Sequence, residues 1–268
     1  MNLPKISIIM PSLNQEKYFE ESILSVINQN YPNIEFIIID GGSDNTNILK
    51  IIKKYKDKID YFISEKDNGL YHAYNKGILK ATGEYIGCIA SDDTYGKNSL
   101  LMIGKFLLNN PEVDLVYGIG TRITKSNKII NFMGDFEFDK EKYLKYSPTI
   151  PAQSTFFRKE CLAYIGLFDT SLKFGGDTDL WKRFAKYNLN IVHIDKQIGK
   201  WRIYNETLTY NPELKWDRFW EAIKVYHRFN KNYFSRYIFN LIFHYFIYST
   251  FRKKKWARKL YFLFQRDN

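Results

Sequence analysis

The stretch Gly83-Glu84-Tyr85-Ile86-Gly87-Cys88-Ile89-Ala90-Ser91-Asp92-Asp93 decides the fold. Residues 85–90 are apolar almost throughout, which is typical of a strand buried on both faces of a parallel sheet. Such strands present functional groups at their carboxyl ends, where open α/β sheets bind ligands. Ser91, Asp92 and Asp93 stand at that end. Adjacent carboxylates favour a nearby cation or donor-rich ligand, although the same three residues are also compatible with an exposed turn that caps the next helix.

The chain before this stretch alternates between two hydrophobic patterns. Short apolar runs predict strands, and apolar residues spaced by three and four predict helices. The predicted strands cover 5–10, 34–39, 59–64 and 85–90, and the predicted helices cover 16–30, 47–55 and 71–81. This β-α-β-α-β-α-β order predicts an α/β fold with a Rossmann-like, mostly parallel sheet flanked by helices. Polar clusters at 11–14, 40–43 and 91–93 then fall on one rim, which favours a ligand site over an exposed turn.

The pattern becomes irregular after residue 96. Short strands are predicted over 113–117, 121–125, 128–133, 191–194 and 199–203, with a hairpin about Ser126 and Asn127. A helix is predicted to begin near Asp177 and to end at about Tyr187. We therefore divide the body, 1–213, into a nucleotide-binding half over about 1–95 and an acceptor half over about 96–213.

Positive charge and aromatic residues are concentrated in the C-terminal segment 214–268. It carries 13 basic and 3 acidic residues, a net charge of +10, whereas residues 1–213 carry 27 and 26. Residues 233–251 are apolar apart from a polar residue at every fourth position, including Arg236 and His244. Charged groups are costly inside a bilayer, so the pattern favours a helical extension lying on an anionic membrane surface. The alternative is that its apolar faces pack on the body.

The N-terminal residues and the cysteines bear on localisation. The chain leads straight into its first strand with no signal-peptide pattern. Cys88 and Cys161 lie in apolar or mixed surroundings without metal-binding spacing, which indicates buried thiols in a reducing compartment. We therefore expect a cytoplasmic protein that is peripheral on the inner face of the cell membrane.

Several motifs, taken in order, resemble the family 2 glycosyltransferases with the GT-A fold. They are Pro11-Ser12-x-Asn14, Asp40-Gly41-Gly42-Ser43, Asn75-x-Gly77, Ala81-x-Gly83 and Ser91-Asp92-Asp93. The likeness covers roughly residues 4–210. Within the family the chain looks closest to bacterial enzymes that build surface polysaccharides, which share the spacing of Asp67, Gly69, Tyr71, Ala73, Asn75 and Gly77.

The resemblance implies a donor site for a nucleoside-diphosphate sugar, most often a UDP-sugar. The residues it implies for donor binding are Pro11, Ser12, Asn14, Asp40, Asp67, Asn75, Ser91, Asp92 and Asp93. Asp93 would also ligate Mn²⁺ or Mg²⁺, which offsets the charge of the leaving diphosphate. Gly41 stands where relatives often carry an acidic residue that meets the base, so base recognition would shift to Asp67.

The resemblance also implies an inverting transfer with an Asp general base. Asp177 takes that role, with Asp179 as the alternative base. Gln153, Asp179 and Trp181 are the implied acceptor contacts, and the acceptor would be a glycan or a lipid-linked glycan. Tyr204 stands where relatives often carry a metal-contacting His, within a stretch, Trp201 to Tyr204, that lies near the diphosphate.

Two other functions are compatible with parts of the sequence. A sugar nucleotidyltransferase would need a loop rich in Gly and basic residues after the first strand, and 11–15 has neither. A nucleic-acid-binding protein would fit the basic segment, but a carboxylate rim repels phosphate, so we expect no nucleic-acid partner. The sequence leaves the oligomeric state open.

Overall fold

A nine-stranded sheet lies at the centre of residues 2–230, the part of the chain that this computed structural model describes. Its strands are β1 (Ile6–Ser12), β2 (Ile34–Asp40), β3 (Tyr61–Ser64), β4 (Tyr85–Cys88), β5 (Thr94–Tyr95), β6 (Leu115–Ile123), β7 (Ile129–Met133), β8 (Thr155–Arg158) and β9 (Ile191–Arg202). The α-helices are α1 (Phe19–Ile27), α2 (Thr46–Tyr55), α3 (Leu70–Lys80), α4 (Ser99–Asn109), α5 (Lys140–Tyr146), α6 (Leu162–Ile165), α7 (Gly176–Lys186) and α8 (Lys215–Phe229).

The first half of the sheet has the predicted parallel arrangement. The strand order is β3-β2-β1-β4-β8-β6-β9-β5, with β7 paired to β6. The strands β3, β2, β1 and β4 are parallel to their neighbours, and β8 then joins β4 in the antiparallel direction. Successive residues of β1 face opposite layers: Ile8 and Met10 pack with α1, α2 and α4, whereas Ile9 packs with α3 and α7. The carboxyl ends of these four strands therefore share one rim.

In the second half of the sheet, two pairs of strands that were predicted to be separate are each one continuous strand. The segments at 113–117 and 121–125 form one strand, β6, and those at 191–194 and 199–203 form one strand, β9. The pairing of β6 with β9 is irregular on either side of Ile119. A Cβ at Gly118 would lie 2.6 Å from Ile198 Cγ1 and 2.6 Å from the Lys196 carbonyl. Gly118 therefore serves the close approach of β9 and does not mark a turn.

The helix α8 packs on the body. Its residues Phe219, Val225 and Tyr226 are buried, and Arg228 forms ion pairs with Asp169 and Asp179. The start of the segment predicted to associate with a membrane thus contacts the body, and 231–268 lies outside the described residues. None of the helices within 2–230 is long and apolar enough to cross a bilayer.

A buried carboxylate joins the first two strands to the loop before β4. Glu35 of β2 accepts hydrogen bonds from the Ser7 hydroxyl, from Thr82 N–H (2.7 Å), from the Thr82 hydroxyl (2.6 Å) and from Lys5 Nζ (3.3 Å). Burial raises the pKa of Glu35, but the hydrogen bonds from Ser7 and Thr82 outweigh it and lower the pKa to about 2. Glu35 is therefore a charged anchor at the amino-terminal edge of the sheet.

Replacing Glu35 with Gln is expected to destabilise the protein at neutral pH by about 2 kcal/mol, because hydrogen bonds to a charged group are lost. Since the folded-state pKa is depressed, this stabilisation is present above the unfolded-state pKa near 4.5 and is lost as the pH falls towards 2. Urea unfolding at pH 7 and at pH 3 measures both effects. Glu20→Gln, which removes a surface ion pair with Lys54, is the control and should have a much smaller effect. Equal losses for both variants would contradict the anchor.

Candidate active site

The loops that follow β1 and β2 are joined by main-chain and side-chain hydrogen bonds. Gly41 N–H donates to the Ser12 carbonyl at 2.8 Å. Asn14 N–H donates to Ser43 Oγ at 2.8 Å, and Asp44 N–H donates to Asn14 Oδ1 at 3.1 Å. Asn14 has a φ of 51°, in the left-handed region that Asn tolerates better than most residues. The loops are therefore held together at the rim of the sheet.

Asp40 shapes these loops from within. Its side chain is fully buried, and its carboxylate accepts hydrogen bonds from Ser43 N–H (2.8 Å), Ser43 Oγ (2.5 Å) and Ser64 Oγ (2.6 Å). These partners occupy both carboxylate oxygens. Asp40 therefore fixes the turn, and its role as a donor contact stays a prediction.

Asp67 lies over Gly41. A Cβ at residue 41 would stand 2.9 Å from Asp67 Oδ2, so a side chain there would collide with this carboxylate. Gly69 N–H donates to Asp67 Oδ1 at 2.9 Å and orients it. The carboxylate of Asp67 thus occupies the space that a side chain at position 41 would fill.

Asp92 and Asp93 are held by the end of β9 and the residues after it. Arg202 N–H donates to Asp93 Oδ1 at 2.9 Å, and Arg202 Nε donates to the Asp92 carbonyl at 2.9 Å. The Tyr204 hydroxyl donates to Asp92 Oδ2 at 2.7 Å and accepts from Gln15 Nε2. The two carboxylates therefore have different surroundings, with the phenol on Asp92 and the main chain on Asp93.

The electrostatics of this pair favour a bound cation. Burial raises the pKa of Asp92, against the lowering effect of the Tyr204 hydrogen bond. Burial and then the negative charge of Asp92 raise the pKa of Asp93 well above its usual range. Asp93 is only 5% exposed. Positive charge placed beside the pair would reverse both shifts.

The donor set limits how a cation could be held. Within residues 2–230 no three His, Cys, Asp or Glu side chains are grouped so as to hold a metal ion. The second oxygen of Asp93, Oδ2, accepts no hydrogen bond from that part of the chain. A hard divalent cation takes six or more oxygen ligands, which a diphosphate and water can supply. The pair therefore fits a cation that is shared with a bound diphosphate.

The Arg202 side chain packs behind the main chain of Asp92. The side chain is fully buried, with its guanidinium 4.1 Å from the centre of the Tyr18 ring. Nη1 donates to Asn127 Oδ1 at 2.7 Å, and Nη2 donates to Glu21 Oε2 at 2.8 Å. These partners hold the guanidinium against the Asp92 main chain. Arg202 therefore supports the carboxylate pair, whereas the sequence placed its stretch beside the diphosphate.

Asp177 lies in the first turn of α7. Burial raises its pKa to about 6, the charge of Glu221 adds to this, and the hydrogen bond from Thr178 N–H opposes it. Burial and then the charge of Asp177 raise the pKa of Cys88, the last residue of β4. Asp177 is therefore a partly buried carboxylate near the strand end that leads to Asp92, with a pKa suited to accepting a proton near neutral pH.

A glycine precedes Asp177 because α3 lies close to α7. A Cβ at Gly176 would stand 2.7 Å from the ring of Tyr71. The Tyr71 hydroxyl donates to the Phe174 carbonyl at 2.9 Å. The Tyr71 ring therefore leaves no room for a side chain at position 176.

Asn75 and Asp179 both make structural contacts within the body. Asn75 Nδ2 donates to the Phe168 carbonyl at 2.8 Å, and Phe168 N–H donates to Asn75 Oδ1 at 3.0 Å. Both ends of the amide thus join α3 to the loop after α6. Asp179 is buried between Arg183 (3.0 Å) and Arg228 (2.9 Å). Asp179 therefore belongs to an ion-pair network, and its roles as acceptor contact and alternative base stay predictions.

The remaining predicted contacts are Trp181, Gln153, Pro11 and Ser12, and all four are buried. Trp181 is 1% exposed and its ring centre lies 5.4 Å from that of Phe157, so it is a core residue, and its acceptor role stays a prediction. Gln153 is buried, and its Nε2 has no hydrogen-bond partner within 2–230. Its acceptor role stays a prediction. Pro11 is buried within β1, and the buried hydroxyl of Ser12 also lacks a partner in the described range.

Residues 7–164 match the glycosyl transferase family 2. The chain belongs to this family. An uncharacterized glycosyltransferase of Rickettsia typhi is 34% identical over 208 residues, which are 73% of this chain and 62% of that protein. One of Methanocaldococcus jannaschii is 30% identical over 222 residues, 76% of this chain and 73% of its relative. The chain thus spans less than two thirds of the length of the Rickettsia protein.

Solved glycosyltransferases share the fold. Staphylococcus aureus TarS 1–349 in complex with UDP-GlcNAc superimposes with a TM-score of 0.68 at 19% identity, over 94% of this chain and 76% of TarS. The mannosyltransferase PcManGT of Pyrobaculum calidifontis, in complex with GDP-Man and Mn²⁺, has a TM-score of 0.65 at 17% identity, over 92% and 70% of the two chains. The predicted GT-A fold is confirmed. Asp177, Tyr204 and α8 lie beyond the range that matches the family.

Proposed function

We propose that the protein is an inverting glycosyltransferase that moves a sugar from a UDP-sugar to a hydroxyl group of a glycan or lipid-linked glycan. The observation that carries the proposal is the pair Asp92 and Asp93, whose pKa values are raised, just after the strand end at Cys88 on which the charge of Asp177 acts. This acidic pair and the separate carboxylate of Asp177 suit the two halves of the reaction. One binds the leaving diphosphate, and the other activates the acceptor.

The donor nucleotide would lie along the wall formed by the loops after β1 and β2. The unpartnered hydroxyl of Ser12 and the tightly held Asn14 offer polar contacts beside Pro11. Asp67 would meet the base, because its carboxylate stands where a side chain at position 41 would otherwise do so. Carboxylates accept the N–H groups of a pyrimidine. The UDP-GlcNAc complex of TarS, which shares the fold, supports uracil as the base.

The cation would be Mn²⁺ or Mg²⁺, held by Asp93 together with the diphosphate, and Asp92 with Ser91 would contact the ribose or the sugar. When bound, the ion neutralises charge that develops on the departing diphosphate. Tyr204 keeps Asp92 Oδ2 occupied, so the chain's own share of the cation ligands falls mainly on Asp93. The Mn²⁺ complex of PcManGT supports divalent metal use in this fold.

Asp177 would take the proton of the acceptor hydroxyl. The acceptor oxygen then forms a bond to the anomeric carbon from the face opposite the leaving group. The bond between that carbon and the diphosphate oxygen breaks, and the electron pair leaves with UDP. One displacement on one face inverts the anomeric centre, so a single carboxylate base suffices. Gln153, whose Nε2 has no hydrogen-bond partner among residues 2–230, would contact the acceptor.

The acceptor and the C-terminal segment would meet at the inner face of the cell membrane. The side chains of Trp216 and Trp220 on α8 are 43% and 63% exposed, and indole rings favour the membrane interface. The sequence beyond 230 adds nine basic residues, four of them in the run Arg252-Lys253-Lys254-Lys255. A lipid-linked acceptor would be presented at such a surface, as in surface polysaccharide synthesis.

Thermal unfolding with a panel of nucleotide sugars, with and without Mn²⁺, tests the donor assignment. We expect UDP-sugars to raise the Tm in the presence of Mn²⁺ by more than ADP-, GDP- or CMP-sugars do, and UDP-sugar hydrolysis to require the metal. A protein that transfers nucleotidyl groups would instead respond to a sugar phosphate with a nucleoside triphosphate. Stabilisation by none of the nucleotide sugars would contradict the proposed function.

Replacing Arg252, Lys253, Lys254 and Lys255 together with Gln is expected to weaken binding to anionic vesicles about 100-fold or more, because each cation near such a surface contributes about 1 kcal/mol. Sedimentation with phosphatidylglycerol vesicles at low salt measures it. The matched control replaces Lys53, Lys54, Lys56 and Lys58, which are exposed on the body, and removes the same charge. Equal sedimentation of the two variants would count against a membrane role for the segment.

A further inference from the structure

The carboxylate of Glu221, on α8, binds three consecutive main-chain N–H groups of the loop before α7. Oε2 accepts from Lys173 N–H at 2.7 Å. Oε1 accepts from Phe174 N–H at 2.6 Å and from Gly175 N–H at 2.7 Å. Hydrogen bonds to an ionised acceptor are about twice as strong as neutral ones. The loop 173–175 is therefore anchored by a single side chain that lies 46 to 48 residues further along the chain.

The same loop is held from the opposite side by α3. The Tyr71 hydroxyl donates to the Phe174 carbonyl at 2.9 Å, and its ring packs against Gly176. Residues 173–175 thus lie between Glu221 and Tyr71, and Asp177 follows two residues later. Any shift of the loop moves the first turn of α7 and the carboxylate that it carries.

The helix that carries Glu221 is itself well fixed. Val225 is buried against the core, where its Cγ2 would lie 3.4 Å from a Cβ at Gly175. Arg228, two turns after Glu221, bridges Asp169 and Asp179 at 2.6 and 2.9 Å. The anchor is therefore rigid on both sides of the hydrogen bonds.

We propose that Glu221 is a positioning residue for the general base: by binding residues 173–175 it sets where Asp177 points. This inference rests on the proposed function, because it takes Asp177 as the base. Glu221 does not contact the reacting groups in this account. The start of the C-terminal segment thereby becomes part of the catalytic domain.

The charge of Glu221 has a second consequence at Asp177. Electrostatic coupling links Asp177 to Glu221 from α8, Tyr71 from α3 and Cys88 from β4. The negative charge of Glu221 raises the pKa of Asp177. Removing it should move the acidic limb of the rate profile to lower pH, an effect that a purely structural defect would not produce.

Hydrogen exchange of the full-length protein tests the anchor without reference to activity. In Glu221→Gln we expect amide exchange at 173–175 to become about 10-fold faster or more, because one carboxylate oxygen is replaced by an N–H₂ group. Asp217→Asn is the matched control, since it removes the same charge one turn earlier from an exposed position of α8. Glu221→Asp keeps the charge and shortens the reach, so exchange should be intermediate. Unchanged protection in Glu221→Gln would overturn the proposal.

Kinetics of the same variants test the consequence. Glu221→Gln should lower kcat by about 10- to 100-fold, since small displacements of a catalytic group have effects of this size, with the KM for the donor unchanged. The acidic limb of its pH–rate profile should lie at lower pH than the acidic limb for Asp217→Asn. Faster exchange with a normal kcat and normal pH profile would refute the positioning role. If the wild-type protein transfers no sugar, the proposed function fails, and the exchange experiment still decides whether the anchor exists.

Discussion

Replacing Asp177 with Asn is expected to lower kcat for sugar transfer by about 10³-fold, the usual range for loss of a general base. Asn has nearly the same shape and can still accept the hydrogen bond from Thr178 N–H, so the KM for the donor and the Tm should change little. Initial rates with saturating donor, together with donor affinity by calorimetry, measure the two effects separately. A fall in kcat with intact donor binding is what distinguishes a base from a donor contact.

The pH dependence of kcat and the variant Asp179→Asn also test the role of Asp177. The reaction needs ionised Asp177, whose pKa burial raises to about 6, so kcat should fall as the pH drops through that value. Asp179→Asn, two residues away, removes a charge that is paired with Arg183 and Arg228. It should lower the Tm while kcat per folded molecule stays close to that of the wild type. The reverse result, loss of kcat in Asp179→Asn alone, would move the base to Asp179.

The first four strands could be predicted from the sequence because their signals are local. Apolar runs, amphipathic spacing and polar strand ends recur over ninety residues, and β1 to β4 follow them closely. The bounds of the later strands, such as β6 and β9, depend on contacts between distant residues, which the local sequence pattern does not predict. Gly118 looked like a break, yet it allows β9 to approach β6. The apolar face of α7, which includes Trp181, looked like an acceptor surface because nothing local shows that it meets Phe157 and Phe184.

In the candidate site, too, local motifs could be recognised in the sequence and long-range contacts could not. Asp92, Asp93 and Asp177 stand at motif positions, and the resemblance to the family implied their roles. The contacts of Arg202 and Glu221 could not be predicted, because their partners lie 110 and about 46 residues away and an isolated charge usually indicates a solvated surface. One sequence signal did exist for Glu221: it is an acidic residue in a segment that carries only three.

Replacing Asp93 with Asn is expected to separate stability from function. At neutral pH the wild-type carboxylate is buried beside Asp92, and burial together with this neighbour raises its pKa well above the usual range. A carboxylate with a raised folded-state pKa destabilises the folded protein when it is ionised. Asn removes the charge and can still accept the hydrogen bond from Arg202 N–H. The Tm of the ligand-free variant should therefore rise, measured by differential scanning calorimetry in EDTA.

The same variant should lose the response to metal. With Asn at position 93, the main carboxylate that the chain can offer to the cation is Asp92. Its Oδ2 already accepts a hydrogen bond from the Tyr204 hydroxyl. We expect Mn²⁺ to give no added stabilisation with UDP-sugar, and kcat/KM to fall about 10³-fold, because charge on the leaving diphosphate is no longer offset. Tyr204→Phe is the control: it frees Asp92 Oδ2 and should retain the Mn²⁺ response. If Asp93→Asn kept a full Mn²⁺ response, the cation would have to bind elsewhere, and Asp92 and Asp93 would need a role that does not involve metal.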